Sequence, residues 1–128
     1  MTTVMIVDDD ETMQSLLRTL LEIEGFDVIE ALSLDQILPT IRSEKPDAIL
    51  MDCILPNVDG LELLRQIRAE QELERTVIIM TSGLDYEQRS MAQGANAFLQ
   101  KPYPPEHLLE VLQTEIEQAG GAAPPVSI

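Results

Sequence analysis

Aromatic residues, cysteines and long hydrophobic runs are all scarce in this sequence. Its 128 residues include two Tyr, two Phe and no Trp, so any core must be largely aliphatic. The single cysteine, Cys53, excludes an internal disulfide and favours a reducing compartment. No apolar run approaches the ~18 residues of a membrane-spanning helix, so no membrane span is expected. The hydrophobic content of 45%, in clear periodic patterns, is typical of one globular domain.

Basic residues are also few. Only 8 Lys and Arg stand against 23 Asp and Glu, which gives a formal net charge of −15. A chain this acidic is repelled by DNA, RNA and anionic membranes, so we expect no direct binding to nucleic acid or membrane. The N-terminus runs directly into a strand pattern without the basic segment of a secretory signal peptide, and we therefore expect a cytoplasmic location.

Short apolar runs alternate with helical patterns along the chain. Ser33 and Gln36 form a capping-box pattern at the start of the second helix, where Pro39 predicts a kink or a displaced start. The alternation predicts an α/β fold, with a parallel sheet and helices on both of its faces. The predicted strands are residues 4–7, 26–28, 48–51, 77–80 and 97–99. A helix is predicted after each strand, and in all but the short fourth helix apolar residues recur three or four positions apart.

The predicted domain occupies residues 1–118. Residues 119–128 are rich in Gly, Ala and Pro. That composition is typical of a flexible tail or of the beginning of a linker.

Asp52 is the most informative residue, because it is an isolated carboxylate in an apolar run. Burying an unpaired carboxylate is costly, so Asp52 should lie at the end of its strand, close to partners. Other strands also end beside reactive groups: Asp8 and Asp9 follow the first strand, Thr81 the fourth and Lys101 the fifth. Since the carboxyl ends of parallel strands share one edge of the sheet, these side chains should converge there.

The chemistry of this set of residues is that of phosphoryl transfer. Carboxylates that share a cleft repel one another, and oxygen ligands favour Mg²⁺ as the cation that relieves the repulsion. A carboxylate beside a metal and an ammonium can attack phosphorus, which would make Asp52 the site of an aspartyl phosphate. Lys101 and Thr81 would then neutralise and hydrogen-bond the phosphoryl oxygens.

Five motifs in this order and spacing resemble the receiver domain of response regulators, the phosphoacceptor module of two-component phosphorelays. The resemblance covers about residues 3–118. It rests on Val7-Asp8-Asp9-Asp10, Met51-Asp52, Leu55-Pro56-Asn57-Val58-Asp59-Gly60, Met80-Thr81-Ser82-Gly83 and Phe98-Leu99-Gln100-Lys101-Pro102.

The resemblance implies a fold, an acceptor and a metal site. The fold would be flavodoxin-like, (βα)5, with the sheet order 2-1-3-4-5. Asp52 would take its phosphoryl group from a partner histidine kinase or histidine phosphotransfer protein. Asp8, Asp9, Asp52 and the backbone carbonyl of Ile54 would hold Mg²⁺, with Asp9 as a direct ligand.

The resemblance also implies a switch. Thr81 would be the switch hydroxyl, Phe98 the switch aromatic, and Lys101 the phosphate-binding amine, joined to Pro102 by a cis peptide bond. A downstream protein would bind the face made by the fourth helix, fifth strand and fifth helix, and a phosphorylation-dependent dimer is a further expectation. Such a domain is regulatory rather than an enzyme, although it assists its own phosphorylation and dephosphorylation.

Three positions depart from the common pattern of that family. Ile54 occupies a position that is often polar, Gly83 has no side chain, and Leu55 replaces the commoner Met. The acceptor and metal residues match. Because Ile54 and Gly83 would border the path of attacking water, we expect them to affect the lifetime of the phosphoryl group rather than its formation.

Two other functions compete with this interpretation. The first strand and the acids after it also fit the DxDxT signature of haloacid-dehalogenase-like phosphatases, with Asp8 as nucleophile and Asp10 as acid/base. Thr81 and Lys101 would supply the hydroxyl and amine of that site. This alternative leaves Asp52 unexplained and needs a further acidic motif after Lys101. The second alternative is a protein-binding domain that never takes phosphate. The complete set of phosphoryl-transfer residues argues against it.

Overall fold

The predicted strands assemble into one parallel sheet. A computed structural model describes residues 2–31 and 33–120. The sheet order is β2-β1-β3-β6-β7, and β4 and β5 form a separate antiparallel pair. Counting only the strands of the main sheet, this is the predicted order 2-1-3-4-5, so the flavodoxin-like fold is confirmed. The strands are β1 (Thr3–Val7), β2 (Asp27–Glu30), β3 (Ala48–Asp52), β4 (Ile54–Leu55), β5 (Val58–Asp59), β6 (Val77–Ser82) and β7 (Ala97–Gln100).

Helices cover both faces of the sheet. Successive strand residues point to opposite faces, so Val4 packs with apolar residues of α1 and α5, while Met5 packs with those of α2 and α3. Both clusters are mainly aliphatic, as the shortage of aromatic residues requires. The α-helices are α1 (Glu11–Ile23), α2 (Ile37–Glu44), α3 (Gly60–Arg68), α4 (Glu87–Ala92) and α5 (Pro105–Gln118).

The start of α2 differs in part from the prediction. A short 3₁₀ turn, Leu34–Gln36, precedes the helix, and the Gln36 N–H donates to the Ser33 carbonyl rather than to its hydroxyl. The Ser33 hydroxyl instead bonds the Asp35 carboxylate at 2.6 Å, so the predicted capping box is wrong. The displaced start is confirmed, because Pro39 lies in the first turn of α2, where its missing N–H leaves no helical bond unmade.

The chain beyond α5 is only briefly described. Helix α5 ends at Gln118, and of the predicted tail, residues 119–128, all but the first two residues lie outside the described part of the chain. No helix within residues 2–31 and 33–120 is both long enough and apolar enough to cross a membrane.

Gly60 fixes the distance between α3 and the end of β3. A Cβ at this position would lie 2.2 Å from the backbone oxygen of Asp52 and 2.8 Å from that of Cys53. The Gly60 N–H donates to the Cys53 carbonyl at 2.9 Å, and the Asp59 carboxylate caps the helix by accepting from the Leu61 and Glu62 N–H groups. The first turn of α3 therefore rests directly on the backbone next to Asp52.

We predict that Gly60→Ala destabilises the fold strongly, because its methyl group would overlap backbone atoms that cannot rotate away. The expected loss is ~3 kcal/mol or more of unfolding free energy, at the upper end of overpacking effects. Gly83→Ala is the matched control, since a Cβ there meets nothing within 4 Å. In urea denaturation, the unfolding free energy of Gly83→Ala should lie within ~1 kcal/mol of that of wild type. Similar losses of unfolding free energy in Gly60→Ala and Gly83→Ala would contradict the role given to Gly60.

Candidate functional site

The register of the sheet brings the predicted site residues to one edge. Asp52 lies opposite Thr81 in the β3–β6 pair, so their side chains are on the same face of the sheet. Val7 pairs with Met51, which places Asp8 level with Asp52. Lys101 follows β7, and its N–H donates to the Ser82 carbonyl at 2.8 Å. Four strands of the sheet thus contribute to one cluster at their carboxyl ends.

Asp52 is buried and fully engaged. The residue is 6% exposed, and its Oδ1 accepts a hydrogen bond of 2.9 Å from the Thr81 hydroxyl. Lys101 Nζ lies 2.9 Å from Oδ1 and 3.1 Å from Oδ2 of the same carboxylate. Asp52 therefore sits between a hydroxyl donor and an ammonium, the two groups that would be needed by a phosphoryl group placed on it.

The ammonium of Lys101 is shared between two carboxylates. Its Nζ also donates to Asp8 Oδ2 at 3.1 Å, while Asp8 Oδ1 accepts the Asp10 N–H at 2.9 Å. Asp8, like Asp52, is almost completely buried. One cation thus compensates two buried negative charges, which leaves the cluster with an excess of negative charge.

The electrostatics of the cluster follow from burial. Burial raises the pKa of Asp52, and repulsion from Asp8 adds to this, although the Lys101 and Thr81 hydrogen bonds act in the opposite direction. Burial also disfavours the charged form of Lys101, but its hydrogen bonds to Asp52 and Asp8 outweigh burial and raise its pKa. Lys101 is therefore a permanent cation at neutral pH, and ionised Asp52 is held there at a cost.

The carboxylates fit a divalent cation. Asp8, Asp9 and Asp52 each offer one oxygen, and these three oxygens all lie within 4.8 Å of one another. Asp9 is exposed at the mouth of the cluster, whereas the other two carboxylates are buried. An all-oxygen set that leaves room for water on one side suits Mg²⁺.

The remaining predicted residues lie around this cluster. Phe98 is half-buried on β7, opposite Met80 on β6, and packs against the apolar cluster under α2 and α3. The Lys101–Pro102 peptide bond is cis. Ile54 lies on β4 with 55% of its surface exposed. Asp10, the acid/base of the phosphatase alternative, is instead the N-cap of α1 and accepts two backbone N–H groups.

Tyr103 is a neighbour of the site that the sequence interpretation missed. Its hydroxyl is buried and has no hydrogen-bond partner among the described residues. Burial raises the pKa of Tyr103 to about 12, so the phenol is neutral beside Lys101. The one available signal was its position two residues after Lys101 in a chain with only two tyrosines.

Comparison with known proteins gives one consistent family. The sequence model of the response regulator receiver domain matches residues 4–113. The chain is 34% identical over 117 residues to the phosphate regulon transcriptional regulatory protein PhoB of Rhizobium meliloti, covering 89% of this chain and 52% of that protein. It is 32% identical over 119 residues to the polar-differentiation response regulator DivK of Brucella ovis, covering 91% and 97% of the two chains.

Solved structures agree with the sequence comparison. The receiver domain of the sensor histidine kinase PA1611 from Pseudomonas aeruginosa, solved with a magnesium ion in its active-site cleft, superposes with a TM-score of 0.80 at 29% identity. The match covers 91% of this chain and 98% of that one. This chain spans about half the length of the first curated relatives it matches, and nearly all of DivK.

We predict that Asp52→Asn stabilises the protein in Mg²⁺-free buffer at neutral pH. Because the folded-state pKa of Asp52 is raised, the stability associated with its protonated form is lost as pH rises through that pKa. Asparagine avoids this loss, keeps an oxygen for Thr81 and leaves Lys101 paired with Asp8. The expected gain at pH 7 is on the order of 1 kcal/mol, and it should shrink below pH ~4, where wild-type Asp52 is protonated.

The control for this comparison is Asp27→Asn, which removes one negative charge from an exposed position. Urea denaturation of both variants at the two pH values separates burial from net charge. If Asp52→Asn is no more stable than Asp27→Asn at pH 7, the ionised carboxylate is not held at a cost.

Proposed function

The chain belongs to the response regulator receiver domains, a family of phosphoacceptor signalling domains, and on that premise we propose that Asp52 is the residue that accepts the phosphoryl group. The observation that supports this choice is the pair of contacts from Thr81 and Lys101 to the Asp52 carboxylate. Both donors are close enough to bind phosphoryl oxygens attached to Asp52. Asp8 has only one of them, Lys101.

The proposed reaction is a direct transfer between two proteins. A carboxylate oxygen of Asp52 forms a bond to phosphorus as the phosphorus–nitrogen bond of a partner's phosphohistidine breaks. The Lys101 ammonium then bonds the transferred oxygens, and the Thr81 hydroxyl donates to one of them instead of to the carboxylate. Later hydrolysis releases phosphate and regenerates Asp52. The domain thus assists its own phosphorylation and dephosphorylation, but it is not an enzyme that acts on an external substrate.

Mg²⁺ is the proposed cofactor of this site. Asp8, Asp9 and Asp52 would hold it, together with the backbone carbonyl of Ile54, and Asp9 would be a direct ligand. When bound, the ion supplies positive charge against the carboxylates and the phosphoryl oxygens. The support is the close approach of the three carboxylate oxygens and the excess negative charge that Lys101 leaves uncompensated.

The phosphatase alternative is wrong for this chain. The family that matches residues 4–113 is the receiver family, not the haloacid-dehalogenase-like phosphatases. The structure provides a physical reason as well. The carboxylate of Asp10, which that mechanism needs as its acid/base, is held by the backbone N–H groups of Thr12 and Met13.

The partners follow from the same proposal. The phosphoryl donor would be a sensor histidine kinase or a histidine phosphotransfer protein. The transfer to Asp52 would take place in the cytoplasm. The output would be a change in the face formed by α4, β7 and α5, since a new bond from Thr81 to the phosphoryl group alters the packing beside Phe98. A downstream protein, or a second copy of the chain, would bind that altered face. The receiver unit would end near Gln118, followed by a tail or linker.

The decisive experiment labels the protein with acetyl phosphate and Mg²⁺. Reduction of the product with borohydride converts an aspartyl phosphate to homoserine, which peptide mass spectrometry locates. We predict modification at Asp52, complete loss in Asp52→Asn, and weaker modification, still at Asp52, in Asp8→Asn. Labelling that persists in Asp52→Asn but disappears in Asp8→Asn would overturn the assignment.

We predict that Mg²⁺ stabilises the wild-type fold. A cation that binds only the folded state adds ~2.7 kcal/mol at a concentration 100 times its dissociation constant. Asp9→Ala should abolish the effect, and Asp8→Ala should weaken it less if its contact to the ion runs through water. Asp27→Ala, an exposed acid outside the cluster, should keep the full response. A thermal midpoint that millimolar Mg²⁺ leaves unchanged in wild type argues against the metal site.

We predict that the phosphoryl group is longer-lived than in variants with polar side chains at positions 54 and 83. Ile54 cannot orient attacking water, and Gly83 has open space where a side chain could do so. Ile54→Asn and Gly83→Glu should each speed dephosphorylation, and a tenfold change requires only ~1.4 kcal/mol in the barrier. The rate is measured after removal of excess acetyl phosphate. If neither variant is faster, these positions do not set the lifetime.

A further inference from the structure

Ser90 anchors helix α4 to the rest of the protein. It is completely buried, whereas every other residue of α4 is exposed. Its hydroxyl lies 3.6 Å from the thiol of Cys53, and either group can donate the hydrogen bond. At the N-terminus of the helix the Glu87 N–H donates to Asp85 Oδ1 at 3.3 Å, while the N-cap residue Tyr86 makes no side-chain capping bond. Because a buried hydroxyl needs a partner, this contact contributes to holding α4 in place.

Cys53 connects that contact to the phosphoryl site. It follows Asp52 directly, and its N–H donates to the Thr81 carbonyl at 2.9 Å. Its own carbonyl accepts the Gly60 N–H at 2.9 Å, and Gly60 packs against the same backbone. Burial raises the pKa of the Cys53 thiol, so at neutral pH the side chain is neutral and can donate to or accept from the Ser90 hydroxyl. The residue next to the acceptor is thus fixed to β6, α3 and α4 together.

We propose that Ser90 is a positioning residue that couples α4 to the acceptor segment through Cys53, in addition to the connection through Thr81 and Phe98. This inference rests on the proposed function of Asp52. When Thr81 donates to a phosphoryl group rather than to the carboxylate, any displacement of its backbone reaches Cys53 through the Cys53 N–H bond. The thiol carries that displacement to Ser90, the buried residue of α4.

The coupling is measurable by amide NMR of the full chain with Mg²⁺ and beryllofluoride, a phosphoryl mimic. In wild type, the mimic should shift the amides of α4 and those of residues 98–101. In Ser90→Ala, the α4 shifts should fall by about half or more, while the shifts at residues 98–101 and the affinity for the mimic are retained. Gln88→Ala, an exposed position on the same helix, is the matched control and should respond as wild type does.

Variants of Cys53 separate coupling from simple packing. Cys53→Ala should reduce the α4 shifts, whereas Cys53→Ser keeps a hydrogen-bonding group and should restore most of them. The double variant of Cys53→Ala and Ser90→Ala should be no more impaired than either single variant, because both remove one contact. Ser90→Cys, which also keeps a donor, serves as the second test if Ser90→Ala does not fold.

The outcomes distinguish this inference from the proposal on which it rests. Full α4 shifts in Ser90→Ala, or additive losses in the double variant, overturn the coupling and leave Asp52 as the acceptor. If wild type forms no beryllofluoride adduct at Asp52, the proposed function fails and the coupling fails with it.

Discussion

The site depends on one partly buried ammonium that binds two buried carboxylates. Lys101 follows β7, and its Nζ lies 2.9–3.1 Å from carboxylate oxygens of Asp8 and Asp52. Burying a charge costs desolvation free energy, and attraction to a partner of opposite charge offsets that cost. A buried charge without its own partner remains destabilising. Here a single cation serves two carboxylates, with Asp9 close by. The fold therefore holds a site that lacks positive charge and favours the binding of a cation.

This imbalance explains why the same residues suit phosphoryl transfer. Lys101 and Thr81 already bind the Asp52 carboxylate, so little rearrangement is needed for them to bind a group attached to it. Donors that are in place before the reaction contribute more than donors that must be recruited. The position of Cys53 between Asp52 and the buried Ser90 extends the consequences of that step to α4.

The sequence was sufficient for the fold and for the convergence of four predicted side chains at one edge of the sheet. Asp8, Asp52, Thr81 and Lys101 each lie at the end of a predicted strand. Because parallel strands have their carboxyl ends at the same edge of the sheet, the sequence predicts that these side chains lie close together. The predicted capping box at Ser33 is wrong because a 3₁₀ turn occupies Leu34–Gln36 and α2 begins after it, with Pro39 in its first turn. The local sequence pattern does not show which of these possible helix starts is the more stable.

Other features depend on tertiary contacts that have no local pattern. The Tyr103 hydroxyl is buried by packing, and Ser90 meets Cys53 across 37 positions of sequence. The need for glycine at position 60 comes from the backbone of Asp52 and Cys53, which α3 approaches only in the folded chain. Sequence periodicity identifies which residues are buried more readily than it identifies which of them touch.

The most direct test of this account is a carbon-13 NMR titration of the Asp52 carboxyl group, with and without Mg²⁺. Without the ion, the account predicts a midpoint above the ordinary aspartate pKa of about 4, because burial and Asp8 oppose ionisation more than Lys101 favours it. With Mg²⁺, the midpoint should fall well below that value. A midpoint that is ordinary or low without the ion, and unchanged by it, would contradict the claim that this site is built with too little positive charge.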